Sequence, residues 1–203
     1  MASILVICTG NVCRSPVAEG FLRAALRERF GDDAPQVSSA GTTGWEDSGA
    51  MAESVEAAKE LGVDISSHRG RVLLPEHVGE VDLVIGMARE HVEAIARSMP
   101  DAEGKTFTLK ELVRLLEGLR PLPGPVGAEA LSRRVEDAEG LRATGFAGNP
   151  HDEDVVDPLG MPLESYRAIA WELRDWTQRL VDAMFGAVAE TGRGAGSLTQ
   201  GTS

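Results

Sequence analysis

Residues 3–22 read Ser3-Ile-Leu-Val-Ile-Cys-Thr-Gly-Asn-Val-Cys-Arg-Ser-Pro-Val-Ala-Glu-Gly-Phe-Leu22, or SILVICTGNVCRSPVAEGFL. Ser3 to Cys8 is an apolar run of strand length, and Gly10 and Asn11 close it as turn residues. Ser15 and Pro16 then form a helix start. The hydroxyl caps the first turn, and proline loses nothing at the first helical position, where its N–H would have no partner. Phe21, Leu22, Ala25 and Leu26 line one apolar face of this helix to about Phe30, before Gly31.

Working outward, further β-type runs are expected at Gln36 to Ala40, Val81 to Gly86 and Lys105 to Thr108. Helical periodicity is expected at about 48–61, 88–98 and 109–118. The longest stripe comes last: Leu163, Tyr166, Ile169, Leu173, Trp176, Leu180, Met184 and Val188 recur every three or four residues. Strands alternating with helices specify an α/β fold with a parallel sheet covered on both faces. Ligands of such sheets bind beyond the carboxyl ends of the strands, where CTGNVCRS stands. Arg120 to Asn149, opening on Pro121, Pro123, Gly124 and Pro125, reads as a peripheral insertion or long excursion. Thr191 to Ser203 reads as a disordered Gly/Ser/Thr tail after a single domain over residues 1–190.

The 203 residues carry 20 Lys and Arg against 32 Asp and Glu, a formal net charge of −12. That balance argues against a broad nucleic-acid surface. No basic segment precedes the first apolar run, and no stretch of about 18 apolar residues occurs, so no membrane span and a cytoplasmic setting are expected. The two cysteines, Cys8 and Cys13, both lie in CTGNVCRS, which suits neither a disulfide framework nor a multi-thiolate zinc site.

A strand end, a glycine turn and a helix N-terminus together gather backbone N–H groups into one concavity, a cradle for an anion. Arg14 supplies a planar fork for two phosphate oxygens. The same positive field favours the thiolate of Cys8, its nucleophilic form. The bland alternative is a buried cysteine beside a helix cap. No Gly-Lys-Ser/Thr follows, so this is not a nucleotide-type phosphate loop. Phosphate ester cleavage also needs a proton donor. Asp157-Pro158 is a candidate, because proline biases Asp157 to an extended loop conformation ahead of the last helix, although Asp-Pro is equally a turn signal. His151, Asp152, Glu153 and Asp154 fit no calcium loop and read as a solvated acidic segment, so no metal is expected.

Cys-x5-Arg-Ser after the first strand, in the form CTGNVCRSPVAEG, resembles the low-molecular-weight protein tyrosine phosphatases. The resemblance extends to about residue 190 outside Arg120 to Asn149. It implies a flavodoxin-like four-stranded parallel sheet, no cofactor, a phosphorylated protein or peptide as substrate, and a phosphocysteine mechanism. On it, Cys8 is the nucleophile, Arg14 the phosphate clamp and Asp157, in VVDPLGMPLESYR, the general acid and then base. Thr9, Gly10, Asn11, Val12, Cys13, Arg14 and Ser15 bind phosphate. Asn11 shapes the loop in a left-handed conformation, Ser15 hydrogen-bonds the Cys8 sulfur, and Ser39 and His68 brace Asn11. Cys13 is expected to protect Cys8 by a reversible disulfide.

Substrate choice rests on the walls. Trp45 resembles an aromatic wall position, whereas Leu159 stands where tyrosine-directed members often have an aromatic. KTFTLKEL resembles a segment of a bacterial phosphoarginine-directed branch, but that branch has Thr where this chain has Val12. The balance falls to phosphotyrosine, with phosphoarginine the alternative. Two other classes are an arsenate reductase, disfavoured because no cysteine follows Cys13, and a non-catalytic phosphate-binding module, disfavoured by Cys8, Arg14 and Asp157 occurring together.

Overall fold

Four parallel strands form one sheet in the order β2-β1-β3-β4. The computed structural model describes residues 2–120, 122, 127–146 and 152–186. The strands are β1 (Ser3–Cys8), β2 (Gln36–Gly41), β3 (Leu83–Gly86) and β4 (Thr106–Thr108). Helices α1 (Arg14–Phe30), α2 (Ala52–Glu60), α3 (Pro75–Gly79), α4 (Arg89–Ser98), α5 (Leu109–Gly118), α6 (Ala130–Ala143) and α7 (Leu163–Phe185) accompany them.

Because successive strand side chains point to opposite faces, β1 feeds two cores. Ile4, Val6 and Cys8, with Leu83, Ile85 and Phe107, pack against α1, α5, α6 and α7. Leu5 and Ile7, with Ala40 and Val84, pack on the other face against Val78 of α3 and Ile95 of α4. Tyr166, Ala170, Leu173 and Leu180 form the buried stripe of α7. Leu173 is fully buried, so Leu173→Ala would cost about 2–5 kcal/mol. The expected three-layer α/β architecture is therefore present. Its chain reversal falls between β1 and β3, and the carboxyl ends of those two strands lie side by side there.

Several expected boundaries shift for identifiable reasons. Helix α1 begins at Arg14, with Cys13 at its N-cap; the Ser15 hydroxyl does not cap the helix but turns to Cys8. Residues 48–51 are loop: Gly70 N–H donates to Ser48 O at 2.7 Å and Met51 N–H to Val12 O at 2.9 Å, so their backbone holds other loops in place. β3 begins at Leu83, two residues after the expected start. β4 begins at Thr106.

The larger correction concerns Arg120 to Asn149. Among its described residues, α6 is a core element, burying Leu131, Val135 and Ala138. Arg134 is 2 % exposed. It donates to Leu116 O at 3.3 Å and Ala183 O at 2.7 Å, near the carboxyl ends of α5 and α7. Unsatisfied helix-end carbonyls carry partial negative charge, which accommodates the buried guanidinium. The expected tail from Thr191, and Val188, lie outside the described residues.

Candidate active site

The loop after β1 is shaped by where its carbonyl groups go. Cys8 O accepts from Thr42 N–H (2.9 Å), Thr9 O from Thr43 (3.0 Å) and Gly44 (3.1 Å), Gly10 O from Trp45 (3.0 Å) and Val12 O from Met51 (2.9 Å). His68 Nε2 lies 2.8 Å from Asn11 O and donates to it. Every carbonyl from Cys8 to Val12 is thus taken by a donor outside the loop. In a planar trans peptide the N–H points opposite to the C=O, so the following amides face inward. Asn11 N–H points at Cys8 Sγ, 3.3 Å away. Gly41, beside Cys8 in the sheet, leaves room for this packing, since a Cβ there would lie 2.6 Å from Thr9 O.

Asn11 has φ 58°, the left-handed region that Asn tolerates better than most residues. Its side chain is fully buried and fully bonded. Nδ2 donates to Ser15 Oγ (2.9 Å) and Ser39 Oγ (2.8 Å), and Oδ1 accepts from Arg71 N–H (3.0 Å). Ser39 in turn donates to Glu19 at 2.5 Å. Since Ser15 Oγ accepts from Asn11, its own proton is free for Cys8 Sγ, 2.9 Å away. Two hydrogen-bond donors, Asn11 N–H and the Ser15 hydroxyl, are thus aimed at the Cys8 sulfur. Ser39 and His68, both singled out from the sequence, thus contact Asn11, the first at Nδ2 and the second at its carbonyl.

Arg14 is 4 % exposed. Nη1 donates to Val155 O (3.1 Å), and Nη2 to Thr9 Oγ1 (3.2 Å) and Asp157 Oδ2 (2.6 Å). Its Nε–H is buried with no partner among the described residues. Asp157 also accepts from Leu159 N–H through Oδ1 at 3.2 Å. The two ends of the motif therefore meet across 143 residues of chain.

The acidic segment ahead of Asp157 departs from the expected solvated loop at Glu153; Asp152 and Asp154 are exposed, and His151 lies outside the described residues. Glu153 is buried, accepts from Thr108 Oγ1 at 2.6 Å and pairs with Arg114. Asp154 accepts from Arg89 N–H at the start of α4 (2.8 Å), and Asp152 pairs with Lys110 (3.2 Å). Val155 N–H donates to Met87 O at 2.8 Å. These contacts pin the loop to the ends of β3 and β4 and deliver Asp157. Among the described residues, no group of three or more His, Cys, Asp or Glu side chains is placed to hold a metal ion.

Two further groups complete the surroundings. Cys13 is a free buried thiol whose pKa is pushed up to about 11, first by burial and then by the charges of Asp157 and Cys8. It stays protonated at neutral pH. His91, not singled out from the sequence, is 1 % exposed and lies 3.1 Å by Nε2 from Thr9 Oγ1. Burial, then the Arg14 charge, lowers its pKa to about 4. A neutral Nε2 can accept the Thr9 proton, leaving the Thr9 oxygen to Arg14. The available signal was its place just past β3, beside the end of β1.

Cys8, Thr9, Gly10, Val12, Cys13, Trp45, Asp157 and Leu159 line one cavity of about 70 Å³. This is far below the few hundred Å³ of a whole small-molecule site, so it suits a terminal group with the rest of the substrate outside. Cys8, 2 % exposed, lies at its base. Trp45 and Leu159, each 43 % exposed, stand at its mouth.

The family described as Low molecular weight phosphotyrosine protein phosphatase matches residues 3–130. A protein-arginine-phosphatase of Geobacillus stearothermophilus is 32 % identical over 181 residues, 89 % of this chain and 95 % of that protein. The low molecular weight protein-tyrosine-phosphatase Etp of Escherichia coli is 38 % identical over 105 residues, 52 % of this chain and 67 % of its own. The structure of a low molecular weight protein tyrosine phosphatase from T. tengcongensis superimposes with a TM-score of 0.66 at 33 % identity, covering 90 % of this chain and 99 % of that one.

Proposed function

Because the chain belongs to the low molecular weight phosphotyrosine protein phosphatase family, we propose that it hydrolyses phosphotyrosine in proteins, with Cys8 as nucleophile. Phosphatase activity on phosphorylated proteins follows from the family; the phosphotyrosine preference, the residue roles and a cytoplasmic setting are part of the proposal. The observation that carries it is the outward bonding of the Cys8 to Val12 carbonyls, which turns the loop amides inward around the Cys8 sulfur.

In the first step Cys8 Sγ attacks phosphorus. The inward amides and Arg14, whose buried Nε–H has no partner among the described residues, take the phosphoryl oxygens. The dianion displaces the Asp157 carboxylate from Arg14; the freed carboxylate takes a proton from water and gives it to the leaving phenol oxygen as the P–O bond breaks and the S–P bond forms. In the second step water attacks the phosphocysteine, its proton passes to Asp157, the P–S bond breaks and inorganic phosphate leaves. Trp45 offers a flat face to the substrate ring, and Val12 gives the cavity an apolar wall.

A second reading is phosphoarginine. It is favoured by a relative named protein-arginine-phosphatase that matches nearly the whole chain, and by Leu159 where a second aromatic is missing. Measuring kcat/KM for phosphate release from phosphotyrosine and phosphoarginine peptides decides between them: the larger value on phosphoarginine replaces the first reading. Cys8→Ser should abolish turnover of both, and retained hydrolysis would remove Cys8 from the mechanism.

A further inference from the structure

We infer that the molecule carries a second anion site, a groove between α1 and the 62–71 loop that takes a compact oligophosphate. The groove encloses about 630 Å³, within the size range of small-molecule clefts, and is bounded by residues other than those lining the Cys8 cavity. In a chain of net charge −12, its walls gather four arginines: Arg23 and Arg27 from α1, and Arg69 and Arg71 from the facing loop.

The carboxylates of the groove offset only part of this set. Glu19 pairs with Arg23, which also donates to Val37 O at 3.0 Å, and accepts from Ser39 Oγ, while Asp64 accepts from Ser66 N–H at 2.8 Å; Arg27, Arg69 and Arg71 have no carboxylate partner among the described residues. Arg27 makes no side-chain hydrogen bond or ion pair with any described residue. Among the described residues Arg69 reaches only the carbonyl of His68, at 2.7 Å. Arg71 bonds Ser39 O through Nε at 2.6 Å, and its terminal nitrogens have no partner among the described residues. Guanidinium groups brought from two walls raise one another's energy, and a multiply charged anion between them lowers it.

The ligand class follows from what the walls contain and lack. Arginine forks match phosphoryl oxygens in pairs, and Ser38 and Ser67 add hydroxyl donors. Among the described residues no Phe, Tyr or Trp lines the groove, and its one imidazole, His68, is tied by Nε2 to Asn11 O at 2.8 Å, so the walls favour charge over base stacking. An oxygen-rich, compact ligand with several charges fits; an apolar or aromatic one does not.

The test is a titration of the full chain with sodium tripolyphosphate, followed by backbone amide shifts. Amides of Arg23, Arg27, Asp64 and Arg69 are expected to move with one midpoint, and those of Gly10 to Cys13 with another. Arg27→Ala combined with Arg69→Ala, both exposed positions, should weaken the groove midpoint by about 10-fold or more, while the loop midpoint and aryl phosphate hydrolysis stay unchanged. Arg27→Glu alone should give a similar loss. ATP should bind the groove no more tightly than tripolyphosphate. Groove amides that do not move, or a midpoint indifferent to these substitutions, would overturn the site. A hexaglutamate peptide binding there more tightly than tripolyphosphate would overturn the ligand class.

Discussion

Replacing Asn11 by alanine and by glycine separates two contributions that its position combines. The side chain is fully buried and makes three hydrogen bonds, to Ser15, Ser39 and the Arg71 backbone. At about 1 kcal/mol net for each, losing them costs about 3 kcal/mol in either variant. Alanine must also hold φ near 58°, a left-handed conformation that costs roughly 1 kcal/mol more and that glycine adopts freely. The expected losses are therefore about 4 kcal/mol for Asn11→Ala and about 3 kcal/mol for Asn11→Gly. With a urea dependence of about 2 kcal/mol per molar, the unfolding midpoints fall by about 2 M and 1.5 M. Turnover should fall in both, since Ser15 and Cys8 lose the amide that orders them. If the two variants coincide within about 0.5 kcal/mol of each other and of the parent, the Asn11 network does not hold the loop.

Asp157→Asn should slow aryl phosphate hydrolysis by about 100-fold, measured as kcat, and an undiminished rate assigns the proton to another group. His91 stays neutral down to about pH 4 in the folded chain, against 6.5 ordinarily, so between those values the unfolded state binds the extra proton. Its contribution is complete above pH 6.5 and is lost as pH falls through about 4, by up to about 3 kcal/mol; His91→Gln should flatten that fall in urea midpoints, and an identical pH dependence in both proteins contradicts it. Mild peroxide should convert Cys8 to its sulfenic acid, which condenses with the Cys13 thiol, losing water, so that intact mass drops by two hydrogens; a stable sulfinic acid on Cys8 instead excludes a protective disulfide.

Local pattern carried the reading wherever one short segment determines its own structure. The apolar run of β1 is strand because alternate residues are buried on both faces, and Asn11 and Gly10 mark the turn by their own backbone preferences. What escaped is set by distant partners. Residues 48–51 look helical, yet their backbone groups bond Val12, Gly70 and Trp45. Arg120 to Asn149 looks peripheral, but Arg134 is buried because two helix ends 18 and 49 residues away supply carbonyls. Glu153 looks solvated in an acidic run until Arg114 and Thr108 are placed beside it. His91 depends on which strands are neighbours, and that emerges only with the order β2-β1-β3-β4.

That strand order also accounts for how the two halves of the site meet. β1 ends in the loop that holds Cys8 and Arg14, and β3, its neighbour, leads to Met87, whose carbonyl fixes Val155. Val155 and Asp157 both bond the Arg14 guanidinium, Nη1 to the first and Nη2 to the second. The acid loop is therefore registered on the same side chain that our proposal assigns to the phosphoryl group. One guanidinium cannot give Nη2 fully to a phosphoryl oxygen and to Asp157 at once. On that reading, substrate binding and release of Asp157 are a single exchange on Arg14.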